Sequence, residues 1–473
     1  MEETSGGWPC LMPRTREGAV YSGRRVLLIG YGVLGSELLL DLETAGATVE
    51  VILDDRYEEL DDEPRVLGPM SSLGTVLEGH DVDLLVVGAS LLSSVTINWL
   101  TRYAHRQNLP IYVAPERSEI GSMENLHEIT RVPGIEDLFA RSSLAVDRNR
   151  IADAVCGRRV LVTGAGGSIG RRTALQLVRY EAESVGLLDR DDCLLHDLAV
   201  ELSGSMYDDR YPLLHVDVQH AGKVLRSFES FRPEIVIHAA ALKHVTTLEN
   251  DPTNALAVNV LGTANVLEAA SATGVELFVN VSTDKAASRV GSLGLSKYIG
   301  ERMTSGEARA GYRSVRFGNV IGSRGSVLHT FRLQAEHHGE VHVRGETTSR
   351  FFMTAGEAAA LVLSTLTQDE PNGTFVFGMG DPVEIVRLAR AVISDLASPA
   401  EILITDLQAG EARHEQLFGE TEEPKETLIP DVFRVLPPPV DRAKVCERLG
   451  VLEEIMALEP EVARRLLEDL AAC

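Results

Sequence analysis

Four consecutive residues hold the densest chemistry in this sequence: Ser282, Thr283, Asp284 and Lys285, two hydroxyls, a carboxyl and an amine. Lys297 follows on a stretch with helical spacing, and Leu293, which cannot carry a proton, stands four residues before it. An acid and a base side by side can serve neighbouring atoms of one ligand, one group removing a proton and the other supplying one. Something must deliver them together. Residues 276–281, ELFVNV, read as a strand ending at Ser282, and backbone curling out of a sheet there presents successive side chains to one ligand. A lysine acts as a base only if its pKa falls, which burial or nearby Lys297 would achieve. Asp284 acts as an acid only if a closed pocket raises its pKa.

At 473 residues the chain has room for two or three domains, and 44% hydrophobic with 24% charged residues is ordinary for a globular protein. A formal net charge of −25 argues against nucleic acid and anionic membrane surfaces as partners. Cys10, Cys156, Cys193, Cys446 and Cys473 show no CxxC spacing, so neither a metal site nor a disulfide framework is expected, in keeping with a reducing cytoplasm. Apolar runs such as 84–92 are too short to cross a bilayer, and no membrane insertion is expected. Residues 1–22 lack a signal-peptide pattern and read as a disordered tail.

Two glycine-rich turns organise the rest. The apolar run RVLLI (25–29) leads into Gly30-Tyr31-Gly32-Val33-Leu34-Gly35 and a helical pattern, which is GxGxxG in the strand-to-helix context it requires. A second strand, 48–53, ends at Asp54-Asp55, where a ribose-binding acid could lie. This unit spans 23–141, and its glycines suit a nucleotide and plain helix–strand packing equally. After a linker, 142–157, the run RVLVT (159–163) enters Gly164-Ala165-Gly166-Gly167-Ser168-Ile169-Gly170 and another helix, opening a domain over 158–473. Strand 184–188 ends at Asp189-Arg190, strand 212–216 at Asp217-Val218, and strand 234–238 at Ala239-Ala240-Ala241. Alternating strands and helices imply a parallel sheet with ligands at the carboxyl ends of its strands, where all these residues fall. The fold class is therefore α/β, two consecutive Rossmann-like, doubly wound parallel-sheet domains. Asp189 in the ribose position favours NAD over NADP, although Arg190 could hold a 2′-phosphate.

The combination TGAGGSIG, HAAALKHV, NVLGT, STDKA, VRFGNVIGSRGSV, RFFMT and the GE…E-L segment at Gly410 resembles the extended short-chain dehydrogenases. More narrowly it resembles the nucleotide-sugar 4,6-dehydratases of the polysaccharide-biosynthesis (CapD-type) family, whose best-known members act on UDP-N-acetylglucosamine. The N-terminal VLLIGYGVLG, VILDD and VAPE are similar to the domain that precedes the catalytic one in long members. Three departures stand out. The transmembrane helices of long members are missing, so a soluble cytoplasmic protein is expected. Leu293 takes the place of the short-chain dehydrogenase tyrosine, as Met does in many long members, which implies retention of configuration at C5. Ala412 follows Gly410-Glu411 where the family carries a basic residue.

The resemblance implies a smaller C-terminal substrate-binding part and an internal redox elimination with NAD. Asp284 would be the acid at C6 of the hexose and Lys285 the base at C5, with Thr283 bonded to the C4 oxygen. The C4 proton would pass through Thr283 to Lys297, or to Asp284 itself. Gly164, Gly167, Ser168, Ile169, Gly170, Asp189, Arg190, Asp217, Val218, Ala239, Ala240, Lys243, Asn259 and Lys297 would bind the cofactor. Lys243, His244, Asn319, Arg324 and Arg350 would bind the substrate, the arginines gripping its diphosphate. The helical run 440–472 would close the substrate domain, and a homo-oligomer is expected. Two alternatives remain open: a nucleotide-sugar C4 epimerase, and a non-catalytic dinucleotide-binding protein.

Overall fold

The computed structural model describes residues 21–60, 62–88, 94–107, 109–114, 147–205, 208–307, 309, 311–396 and 398–472. The chain divides into two compact units, Met1–Ser142 and Ser143–Cys473.

In the first unit, β1 (Arg25–Ile29), β2 (Thr48–Leu53), β3 (Val66–Gly68), β4 (Leu84–Val87) and β5 (Ile111–Val113) form a parallel sheet in the order β3-β2-β1-β4-β5. Helices α1 (Val33–Thr44), α2 (Leu73–Gly79) and α3 (Ser94–Arg106) connect them. Val26 to Ile29 are wholly buried, because a central parallel strand is covered on both faces. Gly35 serves close packing here: a Cβ on it would run into the Gly30 carbonyl oxygen. Asp54 is likewise occupied, accepting from the amides of Tyr31 at 2.7 Å and Arg56 at 2.8 Å. The end of the apolar run 84–92 and the second half of VAPE reach outside the described residues. So does the tail up to residue 20, whereas Tyr21, also assigned to it, is buried in this unit's core.

The second unit opens on a correction. The segment read as a linker holds α4 (Arg148–Val155), capped by the Asp147 side chain, with Ile151 and Val155 buried in the main core. The sheet that follows has nine strands. Seven run parallel: β6 (Arg159–Thr163), β7 (Ser184–Asp189), β8 (Leu213–His215), β9 (Ile235–His238), β10 (Leu277–Val281), β11 (Tyr312–Arg316) and β12 (Gly373–Phe377). Their order is β8-β7-β6-β9-β10-β11-β12, and β13 (Val432–Val435) and strand Lys425–Glu426 extend it antiparallel beyond β12. The sheet separates two apolar cores. One carries α5 (Ser168–Arg179). The other carries α6 (Gly262–Thr273), α7 (Ser292–Gly306) and the C-terminal helices Arg442–Leu449, Leu452–Met456 and Pro460–Ala472. The C-terminal run is helical as read, but its Val445, Ile455 and Leu467 pack into the same core as Leu293 of α7 rather than into a separate substrate part.

One helical stretch, Ala255–Thr273, is long and apolar enough by composition to cross a membrane, yet it is 72% buried inside this unit. It is an interior helix of the fold.

Candidate active site

The cofactor cradle forms where β6 meets α5. Gly164 adopts φ +67°, and a Cβ there would stand 2.6 Å from the Ala240 amide nitrogen. Helix α5 starts at Gly167 without a side-chain cap, so its first amides point outward, a setting suited to a diphosphate. Asp189, at the end of β7, braces the loop by accepting from the Gly166 amide at 2.9 Å. Arg190 beside it is exposed, and its carbonyl meets His215 Nε2 at 3.0 Å. Asp217 is held by the Gln219 amide at 3.0 Å, and Val218 is buried against Gly262. Arg324, on an exposed loop, donates its amide to Ser168 Oγ at 3.4 Å, and Lys243 Nζ reaches neighbouring Ser323 Oγ at 3.2 Å. The His244 ring packs against Gly325 of the same loop, which thus crosses beside the cradle. The glycines, the open helix end and the strand-end acid fit a dinucleotide.

A polar row anchors this floor. The Ala240 amide donates to Thr163 Oγ1, which lies 2.7 Å from His238 Nδ1, and His238 Nε2 lies 3.0 Å from Thr263 Oγ1. Thr263 donates to the Asn259 carbonyl at 2.6 Å, so its oxygen accepts from Nε2–H and Thr163 donates to Nδ1. Burial and the charge of Lys297 push the His238 pKa down to about 3, and the ring is neutral. Asn259, read both as a cofactor residue and as a brace of the active-site strand through backbone hydrogen bonds, makes bonds of the second kind: Oδ1 accepts from the Leu242 amide at 2.8 Å, and Nδ2 donates to the Leu242 carbonyl and Ser296 Oγ, both at 3.1 Å. It ties the β9 strand end to α7. Lys297 is buried on α7, and burial pushes its pKa down to about 8 against the pull of Glu301. Leu293, one turn earlier, is buried in the core.

At the end of β10 the run of four separates by role. Ser282 Oγ donates to Glu301 at 2.5 Å, and Glu301 grips Arg316 of β11 at 2.5 Å and 2.7 Å. Arg316 also holds Glu422 at 2.6 Å and 2.7 Å. Thr283 Oγ1 donates to Asp284 Oδ1 at 2.9 Å, and Lys285 Nζ reaches the same oxygen at 3.2 Å.

A further carboxylate completes the cluster. Glu415 Oε1 lies 2.7 Å from Lys285 Nζ and 3.1 Å from Arg350 Nε. Asn319 bridges, accepting from Lys285 at 3.3 Å and donating to Glu415 Oε2 at 3.1 Å. Arg350, expected at the substrate diphosphate, has its guanidinium on Glu415 and on the carbonyls of Ser349 and Arg413, at 2.9 Å and 3.2 Å. Glu415 was missed as a site residue although it is the second acid of the GE…E-L segment, since nothing local announces a contact so far along the chain.

The expected pKa shifts run the other way. Burial depresses Lys285, but the charges of Asp284 and Glu415 outweigh it and hold the ammonium above its ordinary value. Burial raises Asp284, but Lys285 and the hydrogen bonds to its charged form outweigh that and hold its carboxyl below the usual range. Glu415 is raised to about 7 by burial and by the charge of Asp284, so near neutrality it can both take up and give up a proton. The free site is thus an ammonium between two carboxyls.

Fold and site define the class: an extended short-chain dehydrogenase of the kind that includes nucleotide-sugar dehydratases and epimerases. Residues 160–437 match the model of the polysaccharide biosynthesis protein family. The chain belongs to that family. It is 32% identical over 424 residues, 86% of its length and 70% of the relative's, to the probable polysaccharide biosynthesis protein EpsC of Bacillus subtilis. It is 28% identical, over 56% of its length and 78% of the relative's, to the inverting UDP-N-acetylglucosamine 4,6-dehydratase of Campylobacter jejuni. Among solved structures, Pen from Bacillus thuringiensis aligns with a TM-score of 0.56 at 26% identity, covering 66% of this chain and 99% of that one.

Proposed function

We propose that the chain is an NAD-dependent nucleotide-sugar 4,6-dehydratase acting on UDP-N-acetylglucosamine, supplying a 4-keto-6-deoxy sugar for glycan or glycosylated-metabolite synthesis. The observation that carries this reading is the Asp284–Lys285 pair, carboxyl and amine 3.2 Å apart at the strand end beside the cradle. An epimerase needs no acid at C6 and relies on the tyrosine that Leu293 replaces. The activity named for the Campylobacter jejuni relative supports the substrate. The carboxylate of Asp189 would repel a 2′-phosphate, which supports NAD.

Bound NAD would supply reversible hydride acceptance. The protein's share is proton work. Thr283 holds the C4 oxygen, Lys285 removes the C5 proton, and Asp284 protonates the departing C6 hydroxyl. Lys297 positions the nicotinamide ribose. Substrate must therefore convert the ammonium–carboxylate pair of the free site into amine and acid.

Incubating the protein with NAD and UDP-N-acetylglucosamine and recording proton NMR tests the reading. A new C6 methyl doublet is expected, with the H5 couplings of the retained configuration. A C4 epimer lacking the doublet would identify an epimerase, and bound NAD with no ketosugar from any nucleotide hexose would identify a non-catalytic binder. D284N and K285A are each expected to lower turnover ~100-fold or more.

A further inference from the structure

Beyond the acid and base just named, and resting on the dehydratase reading, the cluster contains one more carboxyl than that scheme uses. In the free site the Lys285 ammonium must lose a proton before it can act at C5. The C4 hydroxyl must also lose one, and Leu293 leaves no tyrosine to take it. Asp284 alone has room for one of these. Glu415 is buried, with 2% of its side chain exposed, and lies closer to Lys285 Nζ, at 2.7 Å, than Asp284 does, at 3.2 Å. Asp284 Oδ1 instead faces the Thr283 hydroxyl at 2.9 Å. Its other oxygen, Oδ2, is buried without a hydrogen-bond partner.

We propose that Glu415 is the positioning residue that discharges Lys285, accepting its ammonium proton so that the neutral amine can attack C5–H, while Asp284 takes the C4 proton through Thr283. The protons balance. As hydride leaves C4, its hydroxyl proton passes to Thr283 and the Thr283 proton to Asp284. An N–H bond of Lys285 breaks as an O–H bond forms on Glu415. Lys285 then takes the C5 proton, and Asp284 protonates the C6 hydroxyl, which leaves as water. When hydride reaches C6, Lys285 returns its proton to C5 and Glu415 returns its own to Lys285. The C4 hydroxyl proton ends in the water. A carboxyl that titrates at about 7 can make this exchange in both directions.

E415Q keeps the shape and removes the acceptor. With wild-type activity established, E415Q is expected to form bound NADH within a few-fold of the wild-type rate. Exchange of the C5 proton with D2O and water loss should fall ~100-fold. The limb of the pH–rate profile near neutrality should disappear, and E415D should recover part of the loss. Equal slowing of NADH formation and C5 exchange with an unmoved pH profile would mean a structural role only, and unchanged exchange would overturn the proposal outright. Carbon NMR of glutamate-labelled, substrate-free protein separates this from failure of the dehydratase reading. The Glu415 carboxyl should titrate near neutrality and shift upward in K285M; an ordinary carboxylate titration would sink the relay even in an inactive protein.

Discussion

Lys297 shows what a buried charge costs at a single residue. It sits buried on α7 with a pKa near 8, against an ordinary 10.5, so carrying its charge at neutral pH costs roughly 3 kcal/mol. In the unfolded chain it would hold its proton up to the ordinary value. Between about 8 and 10.5 the unfolded chain therefore binds more protons, and this residue's contribution to stability rises with pH across that window. K297M removes the buried charge while keeping the bulk. It is expected to stabilise the ligand-free protein by ~2 kcal/mol in urea unfolding at neutral pH, and to abolish turnover. A variant less stable than wild type would mean that the ammonium is compensated in the folded state. That Thr283, Asp284 and Lys285 stand together was legible because chemical types in sequence are visible without a fold. Their protonation states were not, because these depend on Glu415 and Arg350, which only folding brings to them.

At the scale of elements, β10, α7 and β11 are locked by Ser282, Glu301 and Arg316, with Arg316 fully buried between Glu301 and Glu422. A buried ion group is weak proof of stability, but removing one member strands a charge in the core. E301Q is expected to cost ~3–5 kcal/mol and to slow turnover by releasing the strand end, read by chemical denaturation alongside product NMR. A loss under 1 kcal/mol would show that water reaches Arg316. The strands were readable since continuous apolar runs such as RVLVT leave little choice about burial, and the strand-end positions of Asp189 and Ala239 followed from them. Helix α4 was not read, although its signal was present: Asp147 as cap, then Ile151 and Val155 four apart on one face. Its polar neighbours masked a stripe only two residues wide. Glu415 and Arg350 could not be read as a pair, because no periodicity spans the loops between them.

For the whole molecule, the second unit contains the cradle, the proton cluster and the two apolar cores on either side of its own sheet. A chain beginning at residue 143 is expected to fold alone and to bind NAD by calorimetry. One beginning at residue 157 forfeits the burial of Ile151 and Val155 and should lose ~3–5 kcal/mol of stability. Equal melting temperatures for the two would show that α4 is dispensable. The Arg316 knot also governs how such a sequence can change. Glu301 comes from the middle of the chain and Glu422 from beyond Glu415, so one buried cation depends on acids inherited through separate stretches. A lineage that lost either acid first would pass through a form with part of its charge unanswered, so the three positions are expected to drift together or not at all. Chimaeras joined between Glu415 and Glu422 should accordingly survive only when the donor of the tail also supplies an acid at 422.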